Sequence, residues 1–369
     1  MARLVLLLFL ISSPLVAPAQ PFQPPPIATG GDSIRWHAVA EWGVEGRGWE
    51  DVQRYYDRLP ARAQGLVRDK VWDLSRHSAG MSCRFITDAP EIQVRYSLFL
   101  ERLAMSHMPA SGVSGVDLYA LLATGEWQWI GTVQPTARRV HASILRGLPP
   151  GRRMYQLNLP LYNGLDSLAI GVTEGAFFEP VAPRTERPVV FYGTSIMHGA
   201  CASRPGMAIP AILGRRLNVP VINLGFSGNG KLEPEVGHLM TELDAAVYVV
   251  DCLPNLSPEE TAERAEPFIR QLRAARPSTP ILLTEDRVFP NAAFLPGRLE
   301  AHRRRHAALR AAYEKLSAEG VTGLYYLEGD GLLGFDGDAT VDGSHPTDLG
   351  MVRYAHAYEK ALRPILQPR

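Results

Sequence analysis

The sequence predicts an α/β protein: an open five-stranded parallel sheet with helices on both faces, preceded by an antiparallel β-sandwich. Three observations lead there. Residues 71–172 are dominated by short runs that alternate apolar and polar side chains, the period of a strand with one buried face. From about residue 187, strand-like apolar runs alternate instead with helical stretches, and such βα repetition implies a parallel sheet. Between the two patterns lies 180–188, rich in Pro and charge, where a boundary is expected. The reading is a sandwich domain at 31–180 and an α/β domain at 187–369, within the prior of roughly 100–200 residues per domain.

In chain order, Arg3 precedes a nearly continuous apolar run over 4–16, and Ala17-Pro18-Ala19 follows as a small-residue cleavage site. This is the pattern of a signal peptide, 1–19, and the run falls short of the ~20 apolar residues that span a bilayer. The expected location is therefore periplasmic or secreted, with 20–30 a flexible, Pro-rich lead-in. In Ile92-Gln93-Val94-Arg95-Tyr96-Ser97-Leu98 every apolar side chain falls on one face of a strand. The runs 116–121, 127–130, 140–145, 154–159 and 168–172 behave similarly, with Gly, Pro or Asn punctuation between most of them. In the second half the expected strands are 188–193, 219–225, 245–251, 280–285 and 323–328. The expected helices are about 206–217, 231–242, 257–276, 297–319 and 347–364.

Composition narrows the function. Lys and Arg total 38 and so do Asp and Glu, so no global field recruits nucleic acid or an anionic membrane. The densest basic run, Arg303-Arg304-Arg305, sits in helical periodicity and reads as a solvated helix face. No stable membrane insertion is expected, and oligomeric state is not legible. The three Cys read either as buried reduced thiols or as one bridge plus a free thiol. Metal signatures of the H-E-x-x-H or C-x-x-C kind are absent. Gly329–Gly334 spells G-x-G-x-x-G, but an acidic loop follows it instead of the helix a dinucleotide site requires.

An open parallel sheet binds ligands beyond the carboxyl ends of its strands. Those ends carry polar, Gly-rich segments: Gly193-Thr194-Ser195, then Gly225 through Gly230, then 251–255, and a last loop holding Asp342-Gly343-Ser344-His345. A serine nucleophile needs a base within hydrogen-bond reach and a third group to orient that base. Ser195 supplies the hydroxyl, His345 the base and Asp342 the orienting carboxylate. The oxyanion needs preorganised donors. The candidates are the backbone N–H groups of Ser195 and Gly228 and the side-chain amide of Asn255. His198, Arg204, Glu285 and Arg287 follow the first and fourth strands and are candidate pocket residues.

These blocks resemble those of the SGNH/GDSL hydrolases. Gly193-Thr194-Ser195-Ile196 is similar to the nucleophile block, Asn223-Leu224-Gly225-Phe226-Ser227-Gly228 to the glycine block, and Asp342-Gly343-Ser344-His345-Pro346 to the Asp-x-x-His block. Upstream, Gly115-Val116-Asp117-Leu118-Tyr119 resembles the motif that names the GxDLY domain of one branch. The resemblance implies a flavodoxin-like SGNH hydrolase fold, acyl-ester hydrolysis and no cofactor. Two departures stand out: Thr194 occupies the middle of the usual Gly-Asp-Ser, and the usual Gly-x-Asn-Asp is replaced by 251–255, displacing Asn255 along its loop. A helix cap is the alternative role for Asn255. A 2-1-3-4-5 strand order would bring the loops of Cys201 and Cys252 together, which makes them the candidate bridge. The expectation is an exported serine esterase acting on acyl, foremost acetyl, esters of a small molecule or glycan. The alternatives are a lipolytic acylhydrolase and a non-catalytic carbohydrate-binding or scaffold protein with a degenerate hydrolase domain.

Overall fold

A computed structural model describes residues 33–367, all within one compact unit. The expected signal peptide, 1–19, and lead-in, 20–30, lie outside the described residues. Nine antiparallel strands come first: β1 (Ile34–Ala38), β2 (Ser82–Thr87), β3 (Glu91–Leu98), β4 (Asp117–Leu121), β5 (Trp127–Thr132), β6 (Arg139–Arg146), β7 (Arg153–Asn158), β8 (Leu165–Thr173) and β9 (Phe178–Val181). They form two sheets, ordered β1-β8-β3-β6 and β5-β4-β7-β2-β9. Alternation on β3 turns Ile92, Val94, Tyr96 and Leu98 inward, where they share one cluster with Phe85, Leu118 and Leu157 of the other sheet.

Strands β1, β2 and β9 have no counterpart in the sequence reading. Strand β2 alternates as a strand should, with Cys83 and Phe85 in the sandwich core, while Arg84 on its other face is buried too, held by Glu45 at 3.2 Å and Gln156 at 3.3 Å. Strand β9 takes in Pro180, so the expected linker begins as the edge of a sheet, where a missing N–H costs no ladder bond.

The parallel sheet comprises β10 (Val189–Gly193), β11 (Val221–Gly225), β12 (Val247–Asp251), β13 (Ile281–Thr284) and β14 (Leu324–Leu327), ordered β11-β10-β12-β13-β14. Every residue of β10, β11 and β12 is buried, because helices cover both faces. Of the helices α1 (Asp69–Ser75), α2 (Ala110–Val113), α3 (Ser195–His198), α4 (Ile209–Leu217), α5 (Pro234–Thr241), α6 (Pro258–Ala275), α7 (Pro296–Ala318) and α8 (Asp348–Leu366), α4 and α8 pack on Val189 and Phe191. Helices α5, α6 and α7 pack on the other face, against Val190 and Tyr192.

The boundary is less clean than the periodicity predicts. Trp49, Leu59, Ala63, Val67, Val71 and Trp72 join the core under α5 and α6. Met108, Val113, Leu161 and Tyr162 join the core around α3 and α4. The β-rich and α/β parts therefore share apolar interior, at a gain of roughly 1.5–3 kcal/mol for each large side chain buried.

Candidate active site

Ser195 opens the single turn α3 directly beyond β10 and is 7% exposed. Thr194, fully buried, caps that turn: its Oγ1 accepts from the backbone N–H of Ile196 at 3.3 Å. Threonine can thus do a structural job at this position without touching the nucleophile. The Ser195 carbonyl accepts from Gly199 at 3.0 Å and Ala200 at 2.8 Å, which fixes the backbone under the hydroxyl.

The last loop delivers the candidate base. Ser195 Oγ lies 2.9 Å from His345 Nε2, and His345 Nδ1 lies 2.8 Å from Asp342 Oδ2. With Nδ1–H donating to the carboxylate, Nε2 is left to accept the serine proton. Asp342 Oδ1 also accepts the backbone N–H groups of Ser344 at 2.9 Å and His345 at 2.8 Å. Partial burial pushes the Asp342 carboxyl up, but the three donated hydrogen bonds outweigh it and hold the group down at about 2. The loop is pinched shut by Val341 N–H on His345 O at 2.9 Å and Thr347 N–H on Ala339 O at 2.9 Å. Arg287, buried to 2% exposure, donates through Nε to the Ser344 carbonyl at 3.0 Å and also bonds the Ser344 hydroxyl.

On the other side, residues 225–230 fold back over the end of β10. Phe226 donates to Gly193 O at 2.9 Å, and a Cβ at Gly230 would lie 2.0 Å from that same oxygen, so only glycine fits. Gly228 sits at φ +69° with open space where its Cβ would be. Its N–H bonds to no other described residue. Asn255 donates through Nδ2 to Gly230 O at 3.3 Å. It is not the helix cap: Ser257 caps α6 with a capping box to Glu260.

The expected pocket residues fare differently. His198 has no exposed surface; it stacks on Tyr162 at 4.2 Å and bonds Leu161 O at 2.7 Å. Burial pushes its imidazole well below the usual value. It is interior packing, and its expected place in the pocket is corrected. Arg204 reaches back to Asp117 at 3.3 Å and lies over the Trp129 ring at 5.0 Å, joining the two parts of the chain. Asp117, central to the Gly115–Tyr119 match, also accepts from the turn N–H of Gly206 at 3.0 Å. Glu285 is buried and engaged by Tyr326 at 2.6 Å and Gly329 N–H at 2.9 Å, a tie between strand ends and not a pocket wall. Arg287 holds the His345 loop, as described. Of the two readings of the cysteines, buried reduced thiols is the one found: Cys83, Cys201 and Cys252 are all free and buried, and the candidate Cys201–Cys252 bridge is absent. Cys201 and Cys252 belong to different clusters, one on each face of the sheet, so neighbouring loops do not bring the sulfurs together.

Sequence reasoning missed two arginines of the β-rich part that hold the glycine segment. Arg58, 1% exposed, donates to the carbonyls of Asn223 at 2.9 Å and Gly225 at 2.8 Å, besides Leu74 and His77. Arg68 donates to Asn229 Oδ1 and to Asn229 O, both at 2.8 Å. It also missed His107, whose ring centroid lies 5.9 Å from that of His345. No local pattern marks any of the three, since each acts across more than a hundred residues of chain.

A five-stranded parallel sheet of this order, with Ser195, His345 and Asp342 in hydrogen-bond reach at its carboxyl edge, is that of an SGNH-type ester hydrolase. Residues 186–363 match the GDSL-like lipase/acylhydrolase family, and residues 34–178 match the family described as the N-terminus of SGNH-hydrolase-type esterases. A crystal structure from Bacteroides ovatus, described as that of a GDSL-like lipase, is 33% identical with a TM-score of 0.86, over 90% of this chain and 98% of that one. The chain belongs to the GDSL-like lipase/acylhydrolase family. The salicylyl-acyltransferase SsfX3 of a tetracycline biosynthetic pathway shares the fold at 18% identity and TM-score 0.70, over 90% of this chain and 97% of that one. A family two carbohydrate esterase from Cellvibrio japonicus does so at 14% identity and TM-score 0.58, over 90% and 98% respectively. No curated protein matches.

Proposed function

We propose that the chain is an exported serine esterase that removes acyl groups, acetyl foremost, from carbohydrate or small-molecule esters. The observation that carries the reading is the continuous relay from Ser195 Oγ through His345, at 2.9 Å and 2.8 Å, to Asp342. In this mechanism Ser195 Oγ attacks the ester carbonyl carbon as Nε2 of His345 takes its proton. Asp342, its carboxylate favoured by the hydrogen bonds it accepts, orients the ring and stabilises the imidazolium. The N–H groups of Ser195 and Gly228 and the amide of Asn255 receive the oxyanion, each such donor contributing about 10²–10³-fold to the rate. The imidazolium then protonates the departing alcohol as its C–O bond breaks. Water, deprotonated by the same imidazole, releases the acid and restores the serine. Periplasmic or secreted location rests on the residues 1–19 pattern. The carbohydrate part of the substrate class draws on the activity of the Cellvibrio neighbour.

The test is Ser195→Ala. It is expected to keep the thermal midpoint and to abolish both nitrophenyl acetate hydrolysis and labelling by a fluorophosphonate probe. Undiminished turnover in that variant overturns the proposal.

One observation favours a lipolytic variant of the same chemistry. Phe294 is 85% exposed on the turn after Asn291, whose side chain lies against Gly343 of the triad loop. Rates on acyl esters from two to ten carbons separate the readings: a decline with length supports the acetyl esterase, and a rise the lipase.

A further inference from the structure

The serine mechanism assigns sides to the crevice. The oxyanion faces the glycine segment. The departing alkoxide must collect its proton from His345 Nε2, so the alcohol half of the ester lies on the His345 side. A side chain beside that imidazole is therefore closer to the alcohol half than one on the glycine segment.

One neighbour of the His345 ring comes from the β-rich part. Met105 and Met108 exchange two backbone hydrogen bonds, at 3.0 Å and 3.1 Å, closing a tight hairpin with Ser106 and His107 at its tip. The hairpin is anchored: Met108 is 2% exposed, in the same apolar cluster as Ile196 and Met197 of the nucleophile turn. Just beyond it, Ser111 Oγ donates to Ser203 O at 2.7 Å. The tip holds the His107 ring 5.9 Å from the His345 ring, tilted by 38°. At that spacing the two imidazoles are neighbours without a hydrogen bond between them. His107 Nδ1 lies 3.4 Å from Ser106 Oγ, and Nε2 has no hydrogen-bond partner among the described residues. A half-buried polar ring on an anchored hairpin, with a free nitrogen, is placed to bind at a reduced ordering cost.

We propose that His107 is a specificity residue for the leaving group: it hydrogen-bonds a hydroxyl carried by the departing alcohol beside the ester oxygen. The alcohols it favours are polyhydroxylated, such as a sugar ring, over apolar alcohols of equal size. This inference rests on the triad reading above and deepens it.

The experiment compares kcat/KM for an acetylated methyl xyloside and for cyclohexyl acetate, which share the acyl group and its deacylation. Wild type is set beside His107→Phe, which keeps a ring and loses the hydrogen bond, and His107→Asn, which keeps a polar donor and acceptor. One hydrogen bond of about 1–1.5 kcal/mol corresponds to about tenfold. The xyloside-to-cyclohexyl ratio is expected to fall about tenfold in His107→Phe and to be largely retained in His107→Asn. A ratio unchanged in His107→Phe, or lowered equally in both variants, overturns the inference while leaving Ser195-dependent hydrolysis standing. A wild-type enzyme inert toward both esters would instead overturn the acetyl-esterase reading on which the inference rests.

Discussion

Asp251 ends β12 with no exposed surface, directly beside the site. Its Oδ2 accepts from Tyr358 at 2.7 Å, and its Oδ1 has no partner among the described residues. Burial pushes this carboxyl up to about 6, against the lowering by the Tyr358 hydroxyl and the Arg287 charge. A carboxyl raised above its unfolded value of about 3.9 contributes stability that is full below that value and is lost as pH rises through about 6. Asp251→Asn removes the titration while keeping the shape. Its thermal midpoint relative to wild type is therefore expected to climb between about pH 4 and about pH 6 and then level off. Parallel midpoint curves for the two proteins would count against the assignment. Sequence reading gave Asp251 no role, because nothing in a chain of letters distinguishes a buried carboxylate from one at the crevice.

At the scale of elements, legibility followed burial. Strands β10 to β13 were readable because they are buried throughout and mainly apolar, and the edge strand β14, only partly buried, still reads as a short apolar and aromatic run. Strand β2 was not: only Cys83 and Phe85 mark its core face, and the partner of Arg84 on the other face, Glu45, is distant in sequence. Ser195, Asp342, His345 and Gly228 were readable as segments following strands, and the structure brings Ser195, His345 and Asp342 within hydrogen-bond reach of one another. What could not be read was which polar neighbours face the crevice and which lock loops, so His198 and Glu285 were placed with the wrong group. Arg287 is the instructive case: it acts on the His345 loop through Ser344. Lysine there keeps the charge but cannot reach both Ser344 atoms with one nitrogen. Arg287→Lys is expected to lower kcat about tenfold or more with little change in KM, matching the loss of one charged hydrogen bond of about 1.5–3 kcal/mol. A KM effect with unaltered kcat would show that Arg287 contacts substrate instead.

Across the whole molecule, the β-rich part acts as a clamp on the glycine segment. Arg58 gives its guanidinium to four backbone carbonyls, two of them in β11, and burial lowers that guanidinium to about 9. Truncation strands those carbonyls in an apolar interior at about 1–3 kcal/mol each. Arg58→Ala is expected to lose about 3 kcal/mol or more, read as a lower urea midpoint. A loss below about 0.5 kcal/mol, the range of ordinary surface substitutions, would show the clamp to be dispensable.

The interior shared by Trp49, Trp72, Met108 and Tyr162 with the parallel sheet bears on how such a chain can change over evolutionary time. A catalytic half that must borrow its neighbour's aromatic and methionine side chains cannot be traded as a cassette. Grafting it behind an unrelated binding module would leave those sockets open to water, so an exchange of either half carries a cost in stability that a new neighbour must make good.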